Sequence, residues 1–95
     1  MADIRIARRH GLASEAAARA EVEKLAEELV RRFGGRWAWR GEVAECDIRG
    51  GRGRVVCSGD EVRMEVSLPL MLKALRGPLE REIRRRFDQH FLPAD

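Results

Sequence analysis

The segment GEVAECDIRGGRGRVVCSGDEVRMEVS, residues 41–67, decides the fold of this chain. A dipeptide that begins with glycine and is typical of tight turns recurs every nine residues, at positions 41–42, 50–51 and 59–60. The stretches between and after these turns, 43–49, 52–58 and 61–67, alternate apolar with polar side chains, as strands with one buried face do. The segment therefore predicts an antiparallel meander.

Two-residue turns would set the pairing between these strands and the strand that precedes them. The predicted pairs are Trp39 with Ala44, Trp37 with Cys46, Cys46 with Val55, and Cys57 with Val62. A four-residue loop over 50–53 would instead pair Cys46 with Cys57 and keep the same faces, so the register of this hairpin stays open.

In either register the sheet has one apolar and one polar face. The apolar face, predicted to be core, carries Trp37, Trp39, Ala44, Cys46, Ile48, Val55, Cys57, Val62, Met64, Val66 and Leu68. The face predicted to meet solvent carries Arg40, Glu45, Asp47, Arg49, Arg54, Arg63 and Glu65, with Val56 as the exception.

Upstream of the meander the sequence predicts a short strand and a long helix. Ile4 and Ile6 alternate with polar neighbours, which favours a strand. Ser14 is a suitable N-cap, and Gly34-Gly35 a suitable stop, for a helix with apolar residues at helical spacing. Those residues are Ala18, Val22, Leu25, Ala26, Leu29, Val30 and Phe33.

Downstream, the stretch KALRGPLEREIRRRF (residues 73–87) belongs to a final helix that begins near Pro69. Its apolar stripe consists of Leu72, Leu75, Leu79, Ile83, Phe87 and Phe91. Pro78 lacks an N–H and crowds the preceding turn, so we expect a kink or a break at Gly77-Pro78. The whole chain, 1–95, is then one α+β domain of order β-α-β-β-β-β-α, with both helices on one face of a four- to five-stranded antiparallel sheet.

The arginines of the final helix argue against a phosphate-binding role. Glu80 precedes Arg84 by four residues, and Glu82 stands in the same relation to Arg86, which is the favourable arrangement for helix ion pairs. The formal net charge is only +3, because 19 basic residues are offset by 16 acidic ones. A nucleic-acid-binding surface usually has one sign of charge, so nucleic acid is not the expected partner.

Motifs for catalysis, metals or cofactors do not emerge from the sequence. Cys46 and Cys57 fall on the predicted core face, and His10 and His90 lack metal-ligand spacing, so surface or loop positions are expected for the histidines. The stretch GGRGR at 50–54 is interpreted as a hairpin tip, because a phosphate-binding loop would need a following helix. We therefore expect a non-enzymatic protein without metal or cofactor.

The sequence shows neither a signal peptide nor a transmembrane stretch, and we expect a cytoplasmic location.

The candidate binding surface is apolar. It comprises Trp37, Trp39, Leu75, Leu79, Ile83 and Phe87. The two tryptophans project together and either pack in the core or line a hydrophobic pocket under the last helix. A bare strand edge or helix stripe would also suit a homodimer.

Three segments resemble a known family, the polyhydroxyalkanoic acid system proteins. They are IRIARRHGL at 4–12, VEKLAEELVRRFG at 22–34 and DEVRMEVSLPLMLKALRGPLEREIRRRFDQHF at 60–91, with His10-Gly11-Leu12 and the motif at 75–80 the most specific parts. These are small bacterial proteins whose genes lie among those for making, using and coating polyhydroxyalkanoate granules. The resemblance implies a role in polyester storage and a partner that is the granule or a granule-associated protein; it implies no reaction.

A fainter likeness at fold level is to the helix-grip (START/Bet v 1-like) proteins, which hold hydrophobic ligands between sheet and helix. The leading hypothesis is a non-enzymatic accessory protein of the storage system that binds the granule surface or a granule protein through apolar surface. The alternatives are a small module that binds a hydrophobic ligand and a nucleic-acid-binding regulator.

Overall fold

The computed structural model describes residues 2–12, 14–48 and 50–91. The elements, in chain order, are β1 (Ile4–Arg9), α1 (Glu15–Phe33), β2 (Arg36–Arg40), β3 (Val43–Ile48), β4 (Gly51–Ser58), β5 (Glu61–Ser67), a 3-10 helix (Leu70–Leu75) and α2 (Arg76–His90). The predicted α+β class and the predicted order of strands and helices are confirmed.

The five strands form one antiparallel sheet in the order β1-β5-β4-β3-β2. Both helices pack on the same face: α1 lies over β2, β3 and β4, and α2 lies beside α1 and over β1. The apolar residues of alternate strand positions meet the buried face of α1 there, and together they form a single hydrophobic cluster. The opposite face of the sheet is left uncovered by the helices, as the alternation predicts.

Helix α1 has the predicted ends. The Ser14 hydroxyl accepts a hydrogen bond from the Ala17 N–H at 3.1 Å, so it caps one of the free donors of the first turn. At the other end Gly34 adopts a φ of 84° and its N–H donates to the Val30 carbonyl at 2.7 Å. A left-handed φ of this kind is strained for residues with a Cβ, which explains the glycine.

The pairing of β2 with β3 and of Cys57 with Val62 is confirmed, but both predictions for the β3–β4 hairpin are wrong. Cys46 lies opposite Gly53, and Ile48 lies opposite Gly51. The turn comes one residue earlier than predicted, with Gly50 at a φ of 88° and Gly51 already the first residue of β4. The register differs from the two-residue-turn prediction by two residues, so the described side chains of β3 and β4 keep their predicted faces. Arg49, which was predicted for the solvent face, lies outside the described residues.

The helical segment that carries the last apolar stripe is broken rather than kinked. Leu70–Leu75 form a 3-10 helix, and α2 begins at Arg76, immediately before Gly77-Pro78. Pro78 therefore lies in the first turn of α2, where its missing N–H would have no intrahelical partner in any case. The Gly-Pro pair thus marks a helix start.

Candidate functional site: an apolar tip beside a pocket

The last apolar stripe has a buried part and an exposed part. Ile83, Phe87 and Phe91 are no more than 3% exposed and belong to the core. Leu70, Met71 and Leu75 of the 3-10 helix are 86%, 82% and 51% exposed. We call these three residues the apolar tip. Single exposed apolar side chains are common, but three in one short helix are typical of a contact surface.

The apolar tip is held in place by contacts made just before the 3-10 helix and within it. The Asp3 carboxylate accepts a hydrogen bond from the Leu68 N–H at 2.7 Å, which lowers the pKa of Asp3, and it also lies 3.7 Å from the Lys73 ammonium. Leu72, on the inner side of the 3-10 helix, packs against the core. The exposed side chains therefore stand on an anchored segment.

A pocket of about 250 Å3 lies between the tip and the sheet. Its lining comprises Arg32 and Phe33 of α1, Ile48, Gly51, Gly53, Val66 and Leu68 of the sheet region, and Leu72, Leu75, Leu79 and Ile83 of the C-terminal helices. Among the lining residues that the structure describes, Arg32 is the only one with a charged side chain. Leu75 belongs both to the tip and to the lining, so pocket and tip form one continuous apolar surface.

Glycines in β4 leave room for the pocket. Gly51 and Gly53 are buried and occupy two successive inward-facing positions of the strand. A Cβ at Gly53 would lie 3.6 Å from the Met64 methyl carbon and 3.7 Å from the Cys46 Cβ, which are ordinary contact distances. A Cβ would therefore fit at position 53. A Cβ at Gly51, by contrast, would lie only 3.2 Å from the Ile48 carbonyl oxygen, so Gly51 permits a close approach of backbone. Glycine inside a strand often marks a close approach by a ligand or by another segment of backbone.

A cluster of paired charges flanks the Arg32 side of the pocket. The Arg32 Nε donates to Glu82 at 3.0 Å, and Glu82 also accepts from Arg85 at 2.6 Å and from Arg86 at 3.4 Å. The hydrogen bond from Arg32 is the main cause of a lowered pKa for Glu82. Three guanidinium groups thus share one carboxylate, although Glu28 offsets Arg86 from the other side at 3.5 Å.

The structure separates the six residues predicted for the apolar surface. Leu75 and Leu79 line the pocket, and so does Ile83, from the core side. Phe87 is 0% exposed, and its ring lies 5.2 Å from that of Phe91, so it contributes to the core and not to a surface.

Trp37 and Trp39 lie apart from the pocket lining that the structure describes. They project from β2 towards α1, where the Trp37 indole N–H donates to Glu27 at 2.9 Å and the Trp39 indole N–H donates to Glu23 at 2.7 Å. The Arg19 guanidinium stacks over the Trp39 ring, 4.1 Å from its centroid. These contacts attach α1 to the edge of the sheet, and the rings stay half-buried.

A cluster of ionisable side chains joins the two helices. The two ring nitrogens of His90 lie 2.8 Å from Glu21 and 2.6 Å from Glu28. The surface or loop position expected for His90 is therefore wrong, because the side chain is largely buried between α1 and α2. The ion pairs predicted within α2 are confirmed: Glu80 lies 2.9 Å from Arg84, and Glu82 pairs with Arg86. These contacts give Arg84 and Arg86 a structural role.

The motif His10-Gly11-Leu12 is held by hydrogen bonds of the His10 ring. The Leu12 N–H donates to His10 Nδ1 at 3.0 Å, so the proton of the neutral ring resides on Nε2, which lies 2.8 Å from the Gly59 carbonyl oxygen. Gly11 has a φ of 61°, which turns the chain so that Leu12 can reach back to the ring. His10 lies in a loop as expected, but it is buried, and it connects the end of β1 to the β4–β5 hairpin.

The thiols have the properties of core residues. Burial raises the pKa of Cys46 to about 11 and also raises that of Cys57. Both are then protonated thiols near neutral pH, and a thiol is a poor nucleophile. Within residues 2–12, 14–48 and 50–91 the structure contains no cluster of His, Cys, Asp and Glu suited to a metal ion.

The uncovered sheet face carries alternating charges. Asp47 lies between Arg36 and Arg52 on the neighbouring strands, and Glu45 lies between Ala38 and Arg54. A depression of about 480 Å3 on this side is lined largely by these charged residues. Because opposite charges alternate from strand to strand, this face lacks the uniform positive potential that attracts nucleic acid.

The tip and the two glycines were missed by reasoning from the sequence. The interpretation of GGRGR as a hairpin tip does not identify Gly51 and Gly53 as part of a site, although their spacing of two within an apolar-polar alternation indicates two inward positions without a side chain. Leu70 and Met71 lie outside the stripe that one continuous helix predicts, because a 3-10 helix places its residues at different angles.

A family model described as "Putative polyhydroxyalkanoic acid system protein" matches residues 4–91. Comparisons with curated proteins and with solved structures give no match. The likeness to helix-grip proteins thus has no solved structure in its support. No helix among the described residues is long and apolar enough to cross a membrane.

Proposed function

The chain belongs to the family of polyhydroxyalkanoic acid system proteins, and we propose that it is an accessory protein that binds the surface of the polyester granule through the apolar tip. On this proposal it acts by binding and catalyses no reaction. The observation that carries the proposal is the exposure of Leu70 and Met71, at 86% and 82%.

Adsorption of the tip to polyester is favourable for a simple physical reason. Burying a leucine or methionine side chain that was exposed to water contributes about 1.5–3 kcal/mol. Leu70 and Met71 together would contribute on the order of 3 kcal/mol or more, with Leu75 adding part of its exposed area. Because the backbone of this segment is anchored, its adsorption does not require an unstructured chain to become ordered.

Charged groups beside the tip are placed to remain in water during such contact. Lys73 and Arg76 alternate with the tip residues along the chain, and both side chains are more than half exposed. Long basic side chains can bury their methylene stems along an apolar surface and keep the charged group hydrated. The tip could then enter the surface without burying an unpaired charge.

The experiment is co-sedimentation of the purified protein with polyhydroxyalkanoate particles. The double variant Leu70→Gln/Met71→Gln should reduce the partition coefficient by about a hundredfold, the equivalent of about 3 kcal/mol. The matched control is Ala16→Gln/Ala20→Gln, which alters two exposed alanines of α1 and should adsorb like the wild type. Equal adsorption of the two double variants would contradict the proposal. Circular dichroism verifies that both remain folded.

A further inference from the structure

We propose that the pocket beside the apolar tip holds one alkyl side chain of a hydroxyalkanoate unit, so that the protein prefers polyesters with longer side chains. The inference rests on the proposed function, because that function identifies the polyester as the molecule that carries the alkyl side chain. The pocket itself can be tested without any polyester.

The lining has the chemistry of an alkyl-chain site. The side chains around the pocket are aliphatic or aromatic except at Arg32, and Gly53 leaves room in the floor for at least a Cβ. Such a surface offers an alkyl chain close contact on several sides and offers a polar ligand few partners. The available space is about 250 Å3. An apolar cavity of about 150 Å3 binds benzene, which has six carbons, so this pocket has room for roughly ten carbons.

Arg32 provides a polar contact where the chain would leave the pocket. Its Nε donates to Glu82, and a guanidinium group has further N–H donors for an acceptor outside the protein. The ester carbonyl of a polymer unit, or the carboxylate of a free acid, is an acceptor of the right kind. The pocket would therefore take the alkyl part, and Arg32 would meet the oxygens.

The position of the pocket agrees with binding at a surface. Leu75 is part of the tip and also part of the lining. A polymer surface in contact with Leu70 and Met71 would thus lie next to the pocket. A pendant alkyl chain could enter from that surface while the polymer backbone stays outside.

The pocket is tested first with soluble probes, the straight-chain carboxylates from butyrate to dodecanoate. Affinities measured by NMR titration should rise about fourfold per methylene, since each buried methylene contributes about 0.8 kcal/mol. In the wild type, the affinity should stop increasing at a chain length of about ten carbons. In Gly53→Ala the increase should stop about one carbon earlier, with about fourfold weaker binding of decanoate, and Gly53→Val should lose at least about tenfold.

Gly77→Ala is the matched control. It also adds a methyl group at a glycine, but nothing lies within 4 Å of its Cβ, so the affinity for decanoate should not change. Thermal unfolding shows whether the position-53 variants are folded. A chain-length series that is the same in the wild type and in Gly53→Val would overturn the pocket assignment.

The second arm compares particles of a polyester with methyl side chains and one with heptyl side chains. The wild type should adsorb more strongly to the heptyl polyester, and Gly53→Val should lose that preference while it still adsorbs to both. Equal adsorption of the wild type to both polyesters would overturn the side-chain inference and leave the tip proposal intact. Failure to adsorb to either would refute the tip proposal, while the soluble probes would still test the pocket.

Discussion

Truncation of Phe87 is expected to destabilise the protein strongly, whereas truncation of Leu70 is expected to leave stability nearly unchanged. Phe87 is 0% exposed, lies in the hydrophobic cluster and packs against Phe91 at a ring distance of 5.2 Å. Replacing a buried phenylalanine by alanine leaves a cavity and typically costs about 3–5 kcal/mol. Leu70 is 86% exposed, and such surface changes usually remain within about 0.5 kcal/mol.

The size of the Phe87 effect is large relative to the stability of so small a domain. At roughly 0.05–0.15 kcal/mol per residue, 95 residues give about 5–14 kcal/mol in total. Since 1 kcal/mol shifts the Tm of a domain of this size by about 4–8 °C, Phe87→Ala should lower the Tm by at least about 12 °C.

Urea and thermal unfolding of the two variants, followed by far-UV circular dichroism, measure both effects. Similar Tm values for Phe87→Ala and the wild type would refute the division of the stripe into a buried and an exposed part. So would a Leu70→Ala variant that loses as much stability as Phe87→Ala. Either result would mean that α2 does not pack on the sheet as described.

Two further predictions concern the contacts that join separate elements. His10→Ala should lower the free energy of unfolding by about 1–3 kcal/mol, because it leaves the Leu12 N–H and the Gly59 carbonyl without their partner. A loss below about 0.5 kcal/mol in urea unfolding would contradict a stabilising role for these hydrogen bonds. The bond from His90 lowers the pKa of Glu21 below its ordinary 4.5, so this pair stabilises the fold above that pH and loses its effect as the pH falls through the lowered value. Urea unfolding between pH 3 and 6 should therefore show a weaker acid dependence in Glu21→Gln, and an unchanged dependence would count against the pair.

The sequence alone was sufficient for the architecture. The nine-residue recurrence of turns between 41 and 60, and the alternation of side chains, predict the meander and its two faces. The register of the β3–β4 hairpin could not be predicted from the sequence. Three of the four residues from Gly50 to Gly53 are glycines, which carry no side-chain pattern. Turn position then depends on which glycine takes the positive φ, and here that residue is Gly50.

The site was only partly predictable, for a related reason. Leu75 and Leu79 follow from the helical stripe, and both line the pocket. A cavity is the difference between the space available and the side chains that fill it, so it depends on how closely α1 and α2 approach each other above Gly51 and Gly53. That spacing is set by long-range contacts such as Arg32 with Glu82 and His90 with Glu28, which no local pattern specifies.

Binding through the apolar tip can be observed directly while the tip meets the polyester. Cys46 and Cys57 are buried, with raised pKa values, so an introduced surface cysteine can be labelled selectively with a polarity-sensitive fluorophore. With the label at Met71→Cys, the emission should shift to the blue when polyhydroxyalkanoate particles are added. With the label at Ala16→Cys on α1, the emission should not shift. Equal shifts at both positions, or none at position 71 when the protein is bound, would contradict binding through the apolar tip.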